Sequence, residues 1–126
     1  MRKIVHESSE DYLEAILMLS EEKPYVRSVD IANELGFKKS SVSIAMKHLR
    51  EQGHIYVDDS LHIHLTESGL EIAKMIYERH KTLTKLLTDL GVDSEIAEED
   101  ACKIEHVISQ ESFEAIKKLA DFKNDN

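Results

Sequence analysis

Apolar residues near the start of the chain recur at helical spacing in short bursts separated by breakers. Leu13, Ile16 and Leu17 form a stripe behind Ser8, which predicts a helix capped by Ser8 with Asp11 as its capping-box partner. Pro24 in "EEKPY" ends that helix, because proline has no N–H to continue it. In "SVDIANELGFKKSSVSIAMKHLREQG", Ile31, Ala32 and Leu35 share one short face. Gly36 supplies a turn residue able to take a positive φ. Ser40 or Ser41 can cap a second helix with the face Val42, Ala45, Met46 and Leu49, stopped at Gly53. Two short helices around a tight turn, with small Ala32 at the crossing and Val42 turned inward, make a helix-turn-helix.

The period then changes. "HIYVDD" and "LHIHLT" alternate every second residue around Asp58, Asp59 and Ser60, which predicts a β-hairpin. A helix-turn-helix followed by a hairpin is a winged helix. Thr66 caps a long helix ending at Gly91, with Leu70, Ala73, Tyr77, Thr84 and Leu87 on one face and His80 in that series. Asp93 or Ser94 caps a further helix to about Ile108. A last helix, "ESFEAIKKLADF", buries Phe113, Ile116 and Ala120, and the tail "KNDN" is expected to fray. The fold class is mainly α, a winged helix-turn-helix followed by helices.

Composition refines this. A chain of 126 residues suggests one compact unit or two small halves, and 41% hydrophobic residues suffice for a core. The longest apolar run, "AILML", cannot span a bilayer. One cysteine cannot form an internal disulfide, and "MRKIVHESSEDY" lacks the apolar stretch of a signal peptide, so a reduced cytoplasmic setting is expected. The net charge of −9 argues against a nucleic-acid binder until its distribution is seen. Residues 27–54 hold five Lys/Arg against three acids, whereas residues 89–126 hold four Lys against eleven acids. Phosphate responds to the local patch, and the helix-turn-helix is the basic part.

"DACKIEHVIS" places Cys102, Glu105 and His106 at i, i+3 and i+4, one face of a helix. Asp11 and Glu14 share a face of the first helix, and His80 adds an imidazole. If three helices converge, six donors of mixed type meet. Oxygen with nitrogen suits Mn(II) or Fe(II), while a thiolate pulls toward Fe, Co, Ni or Zn. Six donors exceed the need of one ion, so a bridged pair or two sites stay open. Each residue also has an ordinary role: Asp11 as a cap, Glu14 as solvated surface, His80 as a core histidine, Cys102 as a small hydrophobe, Glu105 and His106 as an exposed pair. His62 and His64 share a face of the wing strand, which strand alternation explains.

The stretches "SSEDYLEAILML", "ERHKTLTKLLTDLGV" and "DACKIEHVIS", with the helix-turn-helix between, resemble the DtxR/MntR family of metal-dependent transcriptional repressors over roughly residues 8–120. The resemblance implies a winged-helix DNA-binding domain at 1–70 and a helical metal-binding and dimerisation domain at 71–126, working as a homodimer on operator DNA. It implies the short, manganese-type architecture, since the chain has no room for the SH3-like domain of some members. Glu105, His106 and His80 match ligands of both branches of the family. Cys102 matches the iron type; Asp11 and Glu14 match the manganese type. Glu98 falls where the iron type has an ancillary ligand, and Thr84 where it has a carboxylate. The donor set is therefore a hybrid, with Mn(II) or Fe(II) as the regulatory ion and Co(II), Ni(II) or Zn(II) as substitutes in vitro.

The recognition helix is expected to start near Ser40, with Lys38, Lys39, Ser40, Ser41 and Ser43 as base and phosphate contacts and Lys47 and Arg50 on phosphates. The family's turn often carries a proline, absent here, so base preference does not transfer. His62 at the wing is a candidate for the DNA backbone or an ordinary hairpin residue. Three other classes compete. A metal-independent winged-helix regulator would use the acidic half for dimerisation alone. A metallo-hydrolase would need an open coordination position and a spare general base, and every candidate here is already a ligand. A protein-interaction module is disfavoured by the basic turn at Lys38 and Lys39.

Overall fold

The computed structural model describes the backbone of residues 4–125 and the side chains of residues 9–121. Among these lie α1 (Ile4–Glu22), α2 (Ser28–Leu35), α3 (Lys39–Glu51), β1 (Ile55–Val57), β2 (Ile63–Leu65), α4 (Glu67–Asp89), α5 (Ser94–Ile104) and α6 (Gln110–Asp125). The chain divides into two compact units, one ending at Met75 and the other beginning at Ile76, a boundary inside α4.

In the first unit α1 packs on α2, α3 and β2, α2 on α3, and α3 on β1. The helix-turn-helix closes as its spacing predicts. Gly36 takes φ 72, its N–H donates to the Ala32 carbonyl, and Ala32 and Val42 are buried at the crossing. The predicted serine cap does not form. Lys38 stands at the cap position in extended backbone with no side-chain cap bond, and its carbonyl accepts the Val42 N–H. Ser40 and Ser41 lie inside the first turn, exposed. Helix α1 likewise starts earlier than expected, at Ile4. No glycine or proline precedes Ser8 to interrupt it; Ser8 is thus within the helix, and its side chain lies outside the described residues.

The hairpin pairs Ile55 with Leu65, Tyr56 with His64 and Val57 with Ile63. Asp58 organises its turn: Oδ1 accepts the N–H groups of Ser60 and His62, each at 2.9 Å. Oδ2 lies 2.9 Å from His64 Nε2 and 3.6 Å from His62 Nδ1. The His64 hydrogen bond first, with help from the backbone donors, lowers the Asp58 pKa to about 2. Leu61, φ 66, takes the left-handed position usually given to glycine. His62 stacks on Tyr25 and His64 on Tyr56, with ring centroids 4.2 and 4.8 Å apart.

Thr66 caps α4 as predicted, accepting from the Gly69 N–H at 3.3 Å and donating to the Gly53 carbonyl at 2.7 Å. The start of α4 thereby ties to the base of the hairpin, and Gly69 lies against the His54 carbonyl so closely that a Cβ there would overlap it.

The second unit buries Ile76, Leu83, Ala97, Ala101 and Phe113. The face expected for the long helix is displaced by about one residue. Of its five members only Ala73 is fully buried, and the inward series includes Ile76, Arg79 and Leu83. A wide apolar stripe fits both readings until packing selects its centre. Helix α5 is capped by Asp93, whose carboxylate accepts from the Glu95 N–H, and ends at Ile104, four residues short of the expected Ile108. Helix α6 buries Phe113 fully and Ile116 and Ala120 partly. It runs to Asp125, so residues 123–125 continue the helix that the sequence left to fray; Asn126 lies outside the described residues. No described helix is long and apolar enough to cross a membrane.

The Gly69 contact yields a test. Gly69→Ala should lower stability by about 1–3 kcal/mol, the usual cost of forcing a methyl into filled space, although alanine favours a helix. Urea unfolding of both proteins would measure it, and an unchanged or raised midpoint would show that the hairpin base yields freely.

Candidate metal centre and DNA-reading helix

Glu105 sits at the C-cap of α5, where its N–H still donates to the Ala101 carbonyl. Its side chain is fully buried, a costly place for a carboxylate. The two oxygens face two imidazoles: Oε1 is 2.8 Å from His80 Nδ1, and Oε2 is 3.5 Å from His106 Nε2. Cys102 Sγ lies 3.7 Å from His80 Nδ1. Donor atoms of His80, Cys102 and Glu105 all fall within 4.8 Å of one another. An anion-capable thiol, a carboxylate and an imidazole nitrogen at that separation suit a divalent transition ion. The reading of Glu105 and His106 as an exposed pair does not hold: their side chains are 1% and 3% exposed.

The spacing anticipated that Cys102 and Glu105 would meet, whereas His106 faces the other oxygen of Glu105 and not the group formed with Cys102. Helix α5 stops at Ile104, so Glu105 and His106 occupy the turn beyond it. Arg79, which the sequence reading missed, supports that turn. Its Nη1 donates to the carbonyls of Glu105 and Ile108, each at 3.0 Å, its Nη2 donates to Gln110 Oε1 at 2.8 Å, and the guanidinium lies over the Phe113 ring. A cation at the end of a helix meets unpaired carbonyls and the negative end of the dipole. An arginine one residue before a suspected ligand histidine, inside an apolar face, was the available signal.

The other candidates fall as follows. Glu98 is exposed, with Oε1 3.9 Å from His80 Nε2. Thr84 is half-buried on α4. Asp11 and Glu14 are half-buried, three residues apart on α1 in the first unit. Lys38, just ahead of α3, and Lys39, Ser40, Ser41, Ser43, Lys47 and Arg50 along it are all exposed, while Val42, Met46 and Leu49 form the buried face. The basic residues therefore share an outward surface free of carboxylates until Glu51.

Comparison with known proteins agrees with both halves. The N-terminal DNA binding domain of iron dependent repressors matches residues 5–63, and their metal binding and dimerisation domain matches residues 66–126. An uncharacterized HTH-type transcriptional regulator of Methanocaldococcus jannaschii is 39% identical over 113 residues, covering 88% of this chain and 90% of that protein. The transcriptional regulator MntR of Bacillus subtilis is 36% identical over 115 residues, covering 91% and 81%. A manganese-dependent transcriptional repressor solved in complex with manganese superposes with a TM-score of 0.81 at 28% identity, over 90% of this chain and 53% of that one. The chain thus spans about half the length of solved relatives such as this. A winged helix followed by a carboxylate–imidazole–thiol cluster fits these families, which are metal-dependent DNA-binding regulators and not enzymes. The chain belongs to the iron-dependent repressor family, the DtxR/MntR family of transcriptional repressors.

The cluster has a consequence for the metal-free protein. Cys102, then the Glu105 carboxylate, holds the His80 imidazole in its charged form, raising its pKa from 6.5 to about 10 despite burial. The folded value lies above the unfolded one, so this stabilising contribution is full below about pH 6.5 and is lost as pH rises toward 10. In chelator-treated protein, the His80 ring signals should therefore stay those of imidazolium through pH 8 in an NMR titration. A midpoint near 6.5 would mean that the contacts to Cys102 and Glu105 do not form in solution.

Proposed function

We propose that this protein is a cytoplasmic, homodimeric repressor that binds operator DNA when loaded with Mn(II) or Fe(II) and so controls metal homeostasis. The observation that carries the reading is Glu105, a fully buried carboxylate between two imidazoles with a thiol alongside. His80, Cys102, Glu105 and His106 would hold the ion from the helical part. Asp11 and Glu14 would join them from α1, as the family resemblance implies, with Glu98 as an ancillary donor. When bound, the ion supplies the positive charge that lets these carboxylates share one site.

The chain's own residues divide the remaining work. His80 holds a proton on the metal-free cluster and gives it up on loading, so affinity for the ion rises with pH. Arg79 keeps the turn carrying Glu105 and His106 in place. On the DNA side, Lys38, Lys39, Ser40, Ser41 and Ser43 open the recognition helix, and Lys47 and Arg50 meet phosphates, setting affinity and salt dependence. Two such helices in a dimer reach major grooves one turn, or a multiple, apart. The domains would follow the resemblance, 1–70 for DNA and 71–126 for metal and dimerisation. Other divalent ions, Co(II), Ni(II) and Zn(II), would substitute in vitro.

A mobility shift on the protein's own promoter region at one salt concentration, with chelator against Mn(II) or Fe(II), tests the reading. Metal should tighten binding about 5- to 150-fold, the usual range of allosteric coupling. Glu105→Gln, which keeps the shape and removes the charge, should lose that gain. Equal binding with and without metal would leave a metal-independent regulator.

Cys102 gives a second test. With sulfur as a ligand, the Co(II) form should show a sulfur-to-metal charge-transfer band that Cys102→Ala lacks, and Cys102→Glu should shift preference toward Mn(II), because carboxylate favours hard ions. Absence of the band from the unmodified protein would remove Cys102 from the ligand set.

A further inference from the structure

Helix α3 separates its faces sharply. Val42, Met46 and Leu49 are buried, and Ser40, Ser43 and Lys47 are exposed. In the middle of the polar side stands Ile44, 60% exposed. Its neighbours on the helical surface, three and four residues away, are Ser40, Ser41, Lys47 and His48, all exposed. One exposed apolar side chain needs no explanation on an ordinary surface. This one lies on the helix assigned to DNA, among residues otherwise suited to phosphates and polar base edges.

Its isolation limits what it can contact. No other apolar side chain within α3 is exposed, and Phe37 just ahead of the helix, 43% exposed, is set edge-on against Tyr12. Ile44 has no polar atom for a phosphate or for a base-edge hydrogen bond. The major groove presents one apolar group at its base edges, the C5-methyl of thymine. A β-branched side chain in a helix is held to one strongly preferred χ1 rotamer, so its methyls are already positioned before contact.

Resting on the reading of α3 as the recognition helix, we infer that Ile44 is a specificity-determining residue that packs against a thymine methyl in the major groove. The serines and lysines around it serve polar edges and phosphates. Replacing Ile44 should change which base is tolerated at one position of each half-site while leaving the charge-dependent part of affinity alone. That is the opposite of what loss of Lys47 would do.

A duplex selected from a random-sequence pool by the full chain in Mn(II) supplies the probe. Each thymine is then replaced singly by deoxyuridine, which removes only the methyl. The unmodified protein should lose about fourfold in affinity at one thymine per half-site, the value of one methyl-sized group buried. Ile44→Ser should bind the thymine and deoxyuridine duplexes alike with an unchanged salt slope, and Ile44→Val, which keeps the branch, should still discriminate. Thermal melts of both variants matching the unmodified protein would confirm that folding is not what changed. The inference is overturned if no deoxyuridine weakens the unmodified protein, or if the same one weakens it and Ile44→Ser equally. A selection that enriches no duplex, with metal or without, is a different result: it removes the DNA-binding reading and this inference with it.

Discussion

A carboxylate taken fully out of water must be compensated, and in the helical part of this protein that burden falls on Glu105. The cost of burying such a group is several kcal/mol before its partners are counted. Two imidazoles face its oxygens, from α4 and from the residue beside it. The other buried charge among the described residues is Arg79, also in this unit. Its hydrogen bonds go to the carbonyls of Glu105 and Ile108 and to the Gln110 side chain. The cation thus secures the backbone while the imidazoles face the carboxylate. An arginine clamped on the carboxylate itself would have set a permanent guanidinium against any incoming ion. Histidines can release a proton where a cation takes its place, so imidazole partners leave such a carboxylate compatible with an ion.

That division also explains why α5 ends where it does. Carbonyls past the last turn of a helix have no helical N–H to accept, and Arg79 supplies the donors for two of them. With the helix ending at Ile104, the Glu105 and Ile108 carbonyls both accept from Arg79, and the Glu105 side chain is buried. Local structure, packing and site chemistry meet in those few residues.

Much of the winged helix was legible because its signals are local. Gly36 must take a positive φ, Ala32 must be small, and the strands alternate around Asp58, so neighbours in sequence decide the outcome. The meeting of Cys102 with Glu105 was legible for the same reason, since they are three residues apart in sequence. What was not legible depended on distant residues. The inward face of α4 is centred on Ile76, Arg79 and Leu83, and nothing within the helix distinguishes that stripe from one turned slightly aside. Arg79 looks like a surface charge until α5, α6 and the turn between them supply acceptors and a ring. The serine caps were misplaced because helix starts respond weakly to a single side chain when the backbone has another way to enter.

The donor set carries a last consequence. Glu105 is wholly buried, whereas Cys102 is exposed beside Glu95, Glu98 and Glu99. The hard oxygen is therefore enclosed, and the soft sulfur stands at the rim, 3.7 Å from His80 Nδ1. In the proposed site, an oxygen-preferring ion would engage the buried carboxylate and the imidazoles with little demand on the thiol. A softer ion can gain the sulfur as well. Selectivity in such a site comes from how firmly each donor is held as much as from which donors are present. In the proposed site, the hybrid of manganese-type and iron-type positions that the family resemblance implies would place its oxygen donor in the core and its sulfur donor at the surface.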